Sequence, residues 1–244
     1  MTSKDTHHEI CILPRAVNNA KIWSQLRDKL KMLRLTSLQQ DPEAFSSTYA
    51  EEVKFSNEIW EKRMTNPLAV HFIAVQRYPK TESDGLPEEA SALLSGDWLG
   101  LIVLVGPKED GTVGLHASRS PWENPSSKST MSEERDRKKA STPAYQLNGV
   151  FVVPDARGLG LGKKLVEAAT QLGISSAKNQ GFHAIRIQVR AEANNRPARM
   201  LYRSGGYTDC GVETYTTKEK EKDGIKIPST VSTCIVMERL EEFS

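Results

Sequence analysis

Cysteine is scarce in this chain, and its placement excludes two classes at once. The 244 residues hold Cys11, Cys210 and Cys234. They are odd in number and too scattered for a disulfide framework or a zinc ligand pattern, which is the usage of a reduced, intracellular protein. The five histidines do not cluster; His71 falls inside a strand pattern and His183 beside one, so no metal is expected. Long apolar runs are missing: none approaches the roughly 18 residues of a membrane span. The polar start, Met1 to Glu9, has no signal-peptide core. An excess of charge of one sign is missing too. With 33 Lys and Arg against 31 Asp and Glu, the net charge is +2, which offers no electrostatic footprint for nucleic acid or an anionic membrane. Apolar residues make up 38% and charged residues 26%, a balance that predicts a wet surface and unfolded insertions. The length suits one well-cored domain rather than two. The expected compartment is the cytoplasm, with the nucleus as the alternative.

What is present reads as alternating strands and helices. Ile10–Val17 is a short strand broken by Pro14. Asn18 or Asn19 caps a helix running to about Gln40, with Ile22, Leu26, Leu30, Leu33 and Leu38 near helical spacing. Asp41-Pro42 stops it, and Thr48–Met64 reads as a second helix. Ala69–Arg77 is a strand, Tyr78–Glu89 a loop, and Ala90–Val105 one bent strand or a hairpin interrupted by Gly96 and Gly100. Gly106–Pro143 is rich in Ser, Pro, Gly and charge, cannot bury much apolar area, and is expected to be a mobile insertion. Ala144–Val153 is the central strand and Ala184–Val189 the next. Two closing strands follow near Asp209–Thr217 and Thr230–Arg239, joined by an exposed connection, Lys218–Lys226. Residues 1–9 are expected to be disordered and 10–240 to form a single domain.

The chemistry concentrates where a β-branched run stops at Pro154. Gly158, Gly160 and Gly162 alternate before a helix over Lys163–Lys178. Glycines there leave backbone N–H groups uncovered at the positive end of a helix dipole, a cradle for phosphate or pyrophosphate. Two nucleotide motifs fail on spacing. A dinucleotide fingerprint needs its third glycine where Lys163 stands, and a Walker loop needs one more residue before the Gly-Lys pair and a hydroxyl where Lys164 stands.

The run Arg157-x-x-Gly160-x-Gly162, entered through Val152-Val153-Pro154, resembles the acyl-CoA-binding signature of the GCN5-related N-acetyltransferases (GNAT). A second segment strengthens the resemblance. Asn195, Ala198, Leu201 and Tyr202, followed by Gly206 and Tyr207, are similar to the family's Asn-x-x-Ala-x-x-Leu-Tyr helix and Gly-aromatic pair. Asp41 to Tyr49, followed by Glu51-Glu52, is similar to a segment of small bacterial-type acetyltransferases. The resemblance implies an α/β (α+β) GNAT fold: a central mixed, mostly antiparallel sheet of six or seven strands flanked by about four helices.

It also implies transfer of acetyl from acetyl-CoA to a primary amine by direct attack in a ternary complex. The acyl-CoA contacts it implies are Phe151, Val152 and Val153 on the strand, and Arg157, Gly158, Leu159, Gly160, Leu161, Gly162 and Lys163 in the loop. Asn195 and Tyr202 on the later helix complete them. Tyr202 takes the family's place for the acid that protonates the leaving thiolate, whose reference pKa is about 8.5. Phe45, Tyr49, Trp98 and Gln146 are the candidates for the acceptor pocket, and no metal is implied.

A departure concerns the base. Histone-type members carry a glutamate where Gln146 stands, eleven residues before Arg157, and the central strand has no carboxylate. Glu43, Glu51, Glu52 and Asp97 remain as candidates, directly or through water. The expected acceptor is a small-molecule amine, with no nucleic-acid or membrane partner, on a monomer or homodimer. A protein N-terminus or lysine is the alternative acceptor, and a non-catalytic acetyl-CoA sensor is the alternative of another class.

Overall fold

A strand apolar on both faces needs a covering layer on each side. In the computed structural model, which describes residues 7–78, 88–108 and 142–243, the strand Ala69–Arg77 meets that need. Phe72 and Ala74 enter one core, and Ile73 and Val75 enter the other. The strands are β1 (His7–Ile12), β2 (Ala69–Arg77), β3 (Asp97–Lys108), β4 (Ala144–Val152), β5 (Ala184–Glu192), β6 (Thr208–Thr216), β7 (Lys220–Lys222), β8 (Ile225–Ile227) and β9 (Val231–Glu242). Seven form one mixed sheet in the order β1-β2-β3-β4-β5-β9-β6, and β7 and β8 make a separate hairpin. Within the large sheet, β4 and β5 pair in parallel and the other neighbours are antiparallel.

One face is covered by α1 (Ala20–Gln40), with α2 (Tyr49–Glu52), α3 (Asn57–Met64) and α4 (Glu88–Ser95) beside it. Asn19 starts α1 by accepting hydrogen bonds from the N–H groups of Lys21 and Ile22 at 3.0 and 3.1 Å, satisfying donors that a helix start leaves open. Leu26, Leu30, Leu33 and Leu38 then line its buried stripe. The opposite face is covered by α5 (Leu161–Asn179), whose Leu165, Val166 and Ala169 are fully buried, and by α6 (Arg196–Ser204).

The sheet and its two-sided cover agree with the implied architecture, and among the described residues the flanking helices number six where about four were expected. Two departures explain the difference. Thr48–Met64 is not one helix. Thr48 caps α2 through its hydroxyl on the Glu51 N–H, and the chain turns at Val53–Phe55 before α3 begins at Asn57. Phe55 is turned onto the later helix, its ring 6.1 Å from that of Trp60 with the Arg63 guanidinium 4.9 Å away. Ala90–Val105 is not a hairpin either: its first part belongs to α4. A short apolar run carries no period that separates helix from strand, and here Ala92 and Leu93 pack into the α1-side core as a helical turn. Gly96 closes α4 where a Cβ would stand 2.3 Å from Val75 Cγ1 and 2.7 Å from the Gln76 carbonyl.

β1 begins at His7 rather than Ile10 and ends before Pro14. β3 continues through Gly106 to Lys108, so the first residues assigned to the insertion are strand; residues 109–141 of that insertion lie outside the described residues. Lys218–Lys226 is not merely an exposed connection. It contains β7 and most of β8, and the Lys220 side chain is buried with Nζ donating to the carbonyl oxygens of Pro42, at 2.8 Å, and Phe45.

Candidate active site

The site begins where two strands part. β4 pairs with β5 only from Ala144 to Leu147, opposite Arg186 to Val189. β4 then continues to Val152 alongside β3, while β5 continues to Glu192 alongside β9. Beyond Leu147 the facing edges therefore diverge into a wedge of unpaired backbone. Its bend is local chemistry: the β3 register slips between Leu101 and Val103, and Gly149 sits at φ +65°, which a side chain rarely tolerates.

β4 runs into a turn at Pro154–Ala156 and then the glycine loop. Gly158 and Gly160 have φ of +83° and +75°, and a Cβ built on either would meet nothing within 4 Å. Gly160 is the N-cap of α5 and has no side chain to offer, so the first N–H groups of this 19-residue helix keep no cap. The loop is thus an open cradle of donors at a positive helix end, the arrangement that fits a pyrophosphate. Gly162 does something else. A Cβ there would lie 3.3 Å from Leu201 Cδ2, so this glycine lets α5 approach α6.

Not every residue assigned to the acyl-CoA contacts presents its side chain there. Phe151 is buried in the α1-side core and Leu161 in the α5-side core, which leaves them only backbone to contribute. Val152 and Val153 are half-buried, and Leu159 and Lys163 are exposed. Arg157 is bound across the loop mouth, with Nε on the Val152 carbonyl at 3.0 Å and Nη2 on Asp41 Oδ2 at 2.5 Å.

α6 presents one face to the wedge. Asn195, Ala198 and Tyr202 recur at the three-to-four spacing that stacks residues on one helix side, and all three line a cavity of about 170 Å³. The Asn195 side-chain Oδ1 accepts from the Ala198 N–H at 3.1 Å, so its cap function is met. Tyr202 is 4% exposed, packed edge-on to Tyr207 with ring centroids 6.1 Å apart. Burial, with Tyr207 second, pushes its hydroxyl far above the ordinary tyrosine range, so it holds its proton at neutral pH.

The cavity continues from the wedge toward α1 and α3. Phe45 and Gln146 line it, while Tyr49 packs against the α1-side core. Trp98 is elsewhere: its Nε1 donates to the Leu93 carbonyl at 2.8 Å, and the Lys29 ammonium lies 5.7 Å from its ring.

The candidate bases fare worse. Glu52 is 1% exposed and accepts from Arg34 through Nε and Nη2 and from Arg63 through Nη1, at 3.2, 2.8 and 2.7 Å. Burial opposes its charge, but the two guanidiniums win and hold its pKa at about 2, far too low for a base. Glu43 and Glu51 are engaged with Lys222 and Lys218, and Asp97 accepts from the Tyr78 hydroxyl.

Sequence reasoning missed Arg34, Trp60, Arg63, His71, Glu192 and Tyr215, which line the same cavity. No local pattern joins them, because they come from α1, α3, β2, β5 and β6. Among the described residues lining the cavity, Glu192 is the single carboxylate; it accepts from the hydroxyls of Tyr215 and Ser232. His71 is buried, and desolvation, then Arg63 and Arg15, lowers it to about 3, so it stays neutral. Two buried polar atoms of the lining residues, Trp60 Nε1 and Gln146 Oε1, have no hydrogen-bond partner. Among the described residues no group of His, Cys, Asp and Glu could hold a metal ion, and no helix is long and apolar enough to cross a membrane.

Residues 129–209, which run from before the wedge to past α6, match the model of the acetyltransferase (GNAT) domain. The glycine loop and α6 both lie within that GNAT match. The chain's sheet superposes on that of Arabidopsis thaliana NAA60 in complex with a bisubstrate analogue, with a TM-score of 0.53 over 96% of this chain and 100% of that one. At 15% identity that likeness concerns the GNAT fold. Among curated proteins, the chain is 42% identical over 59 residues to a mycothiol acetyltransferase of Arthrobacter sp. strain FB24. It is 40% identical over 72 residues to the uncharacterized N-acetyltransferase YhfO of Bacillus subtilis strain 168. These stretches cover 24% and 29% of this chain, and span only 16% and 44% of the length of those relatives.

Proposed function

We propose that this GNAT protein is an acetyl-CoA-dependent N-acetyltransferase acting on a primary amine of a small molecule. The observation that carries the reading is a single path: an open glycine cradle, a wedge of unpaired strand edge, and a cavity holding Tyr202. Bound acetyl-CoA would supply an activated acetyl thioester. The cradle from Gly158 to Lys163 suits its pyrophosphate, and the free edge of β4 after Leu147 suits its amide-bearing arm.

The residues then divide the proton work. Gln146 Oε1 is a buried acceptor able to orient an amine N–H. Glu192, the cavity carboxylate, takes the proton that the amine must lose, directly or through water. Tyr202 donates toward the leaving sulfur, which would otherwise depart as an unsolvated thiolate. A small acceptor is supported by enclosure. The β7–β8 hairpin is held against the acceptor side by Lys220 on the Pro42 and Phe45 carbonyls and by Lys218 on Glu51.

Gly160→Asp places a side chain at φ +75° and a negative charge in the cradle. Calorimetry should show acetyl-CoA affinity falling at least tenfold, about 1.4 kcal/mol, in a variant that still unfolds cooperatively. Unchanged affinity would sink the assignment of the cradle. In parallel, thiol release from acetyl-CoA should depend on an added primary amine; release at equal rate without one would remove the transferase reading.

A further inference from the structure

Glu192 ends β5, and its place in the sheet decides what can hold it. β9 runs between β5 and β6, pairing Cys234 with Glu192 on one side and Ser232 with Tyr215 on the other. Residues paired across a ladder share a face, and so do residues two apart on a strand. Glu192, Ser232 and Tyr215 therefore stand on one face of the sheet, and the tyrosine side chain is long enough to cross the intervening strand.

Both carboxylate oxygens are engaged by that arrangement. The Tyr215 hydroxyl donates to Oε1, and the Ser232 hydroxyl donates to Oε2 at 2.5 Å. Burial first, and the hydrogen bond to Glu192 second, push the Tyr215 hydroxyl above the ordinary tyrosine range, so it stays the donor. A carboxylate has about four acceptor sites, and two are left for a substrate N–H. Glu192 and Tyr215 are half-buried and line the cavity, so the pair is not sealed in a core.

The strand that carries Tyr215 is itself pinned. Its ladder runs on to Thr216, opposite Val231. Just beyond, the Thr217 N–H donates to the Thr230 carbonyl at 2.8 Å, and the Thr230 N–H donates to Thr217 Oγ1 at 2.9 Å. The chain then enters the β7–β8 hairpin. There Lys220, close enough to Glu192 to feel its charge, is committed to the Pro42 and Phe45 carbonyls.

We propose that Tyr215, together with Ser232, is a positioning residue for acetyl transfer: it holds Glu192 in place to take the proton of the acceptor amine. The proposal rests on the transferase reading with Glu192 as base, and deepens it. The proton that moves is the amine's, onto a free lone pair of Glu192, while Tyr215 and Ser232 keep theirs. Without the two hydroxyls, a glutamate at a strand end is free to change rotamer, and catalysis is sensitive to displacements of about an ångström.

The test uses the full chain and follows thiol release from acetyl-CoA with spermidine, histamine, phenylethylamine and glycinamide, carrying forward the amine that the parent turns over best. Tyr215→Phe keeps the ring and removes the hydroxyl. It should lower kcat by about tenfold or more, while KM for the amine and the calorimetric Kd of acetyl-CoA stay within about threefold. Ser232→Ala should act in the same direction, and Ser232→Thr, which restores a hydroxyl, should recover the loss. The deciding arm is a double-mutant cycle. Residues that act through one group are not additive, so in a Glu192→Gln background Tyr215→Phe should change kcat by less than about twofold. A further loss of about tenfold in that background, or a Tyr215→Phe single variant within about threefold of the parent, would overturn the proposal while acetyl transfer stands. So would a Glu192→Gln variant as fast as the parent. If Tyr215→Phe does not fold, Ser232→Ala taken through the same cycle decides by the same outcomes. A parent that releases no thiol in response to any of the amines would instead remove the transferase reading, and this proposal with it.

Discussion

Tyr202→Phe should lower kcat by about 10²-fold or more, the usual range for a lost acid, while acetyl-CoA affinity stays within about threefold. The substitution keeps the ring that packs on Tyr207 and removes only the hydroxyl at the wedge. A departing thiolate has a reference pKa of about 8.5, and Tyr202 is raised well above even the ordinary tyrosine value by burial. It therefore stays protonated throughout the working range, and in the proposed reaction it serves the sulfur chiefly as a hydrogen-bond donor. A further expectation follows. The pH–rate profile should show no alkaline limb from Tyr202 below about pH 10, because its folded pKa lies above that. Parent and variant need kcat and acetyl-CoA Kd from the same preparations and a verified amine. If kcat stays within threefold, the sulfur draws its proton from elsewhere and Tyr202 is only a wall of the site.

Glu52→Ala should destabilise the fold by about 3–5 kcal/mol, the cost of leaving buried charge without its partner. Two guanidiniums converge on Glu52 at 2.7 to 3.2 Å, and Ala would leave both facing each other behind the cavity. The same contacts make stability depend on pH with a definite sign. Glu52 is depressed from 4.5 to about 2 in the folded protein. Its contribution, about 3 kcal/mol by linkage, is fully present above about pH 4.5 and is lost as the pH falls toward 2. Denaturant midpoints at pH 7 measure the cost. Repeated at pH 5 and pH 3, the difference between parent and variant should narrow toward acid. A difference that stays constant would show that Glu52 is not held ionised by Arg34 and Arg63.

Much of the proposed cofactor side was legible in the chain. The alternating glycines after Pro154 and the positions of Asn195 and Tyr202 are read from spacings of a few residues, and the structure puts them along one wedge. Even there the face that each side chain takes was not legible. Phe151 and Leu161 sit in motif positions but point into the cores, and Gly162 is small for the sake of Leu201. A motif reports which residue types occur at a turn, whereas the face each side chain takes is set by the layers packed above and below. The helix α4 was missed because four apolar residues between charged ones have no decisive period, and the α1-side core chose the helical form.

What the sequence determined by itself is local: where strands end, where helices are capped, and where a glycine-lined helix start can cradle a phosphate. Those features depend on neighbours within a turn or two, and the residues for them are contiguous. The acceptor cavity was decided only by the tertiary structure. Arg34, Trp60, Arg63, His71, Gln146, Glu192 and Tyr215 come from six different elements of the chain. They meet because β4 and β5 part, because α1 and α3 share the carboxylate of Glu52, and because Lys220 draws a distant hairpin onto Pro42 and Phe45. Each of those contacts joins groups far apart in sequence. Their chemistry is created by desolvation and charge pairing in the folded protein, so no spacing along the chain records it.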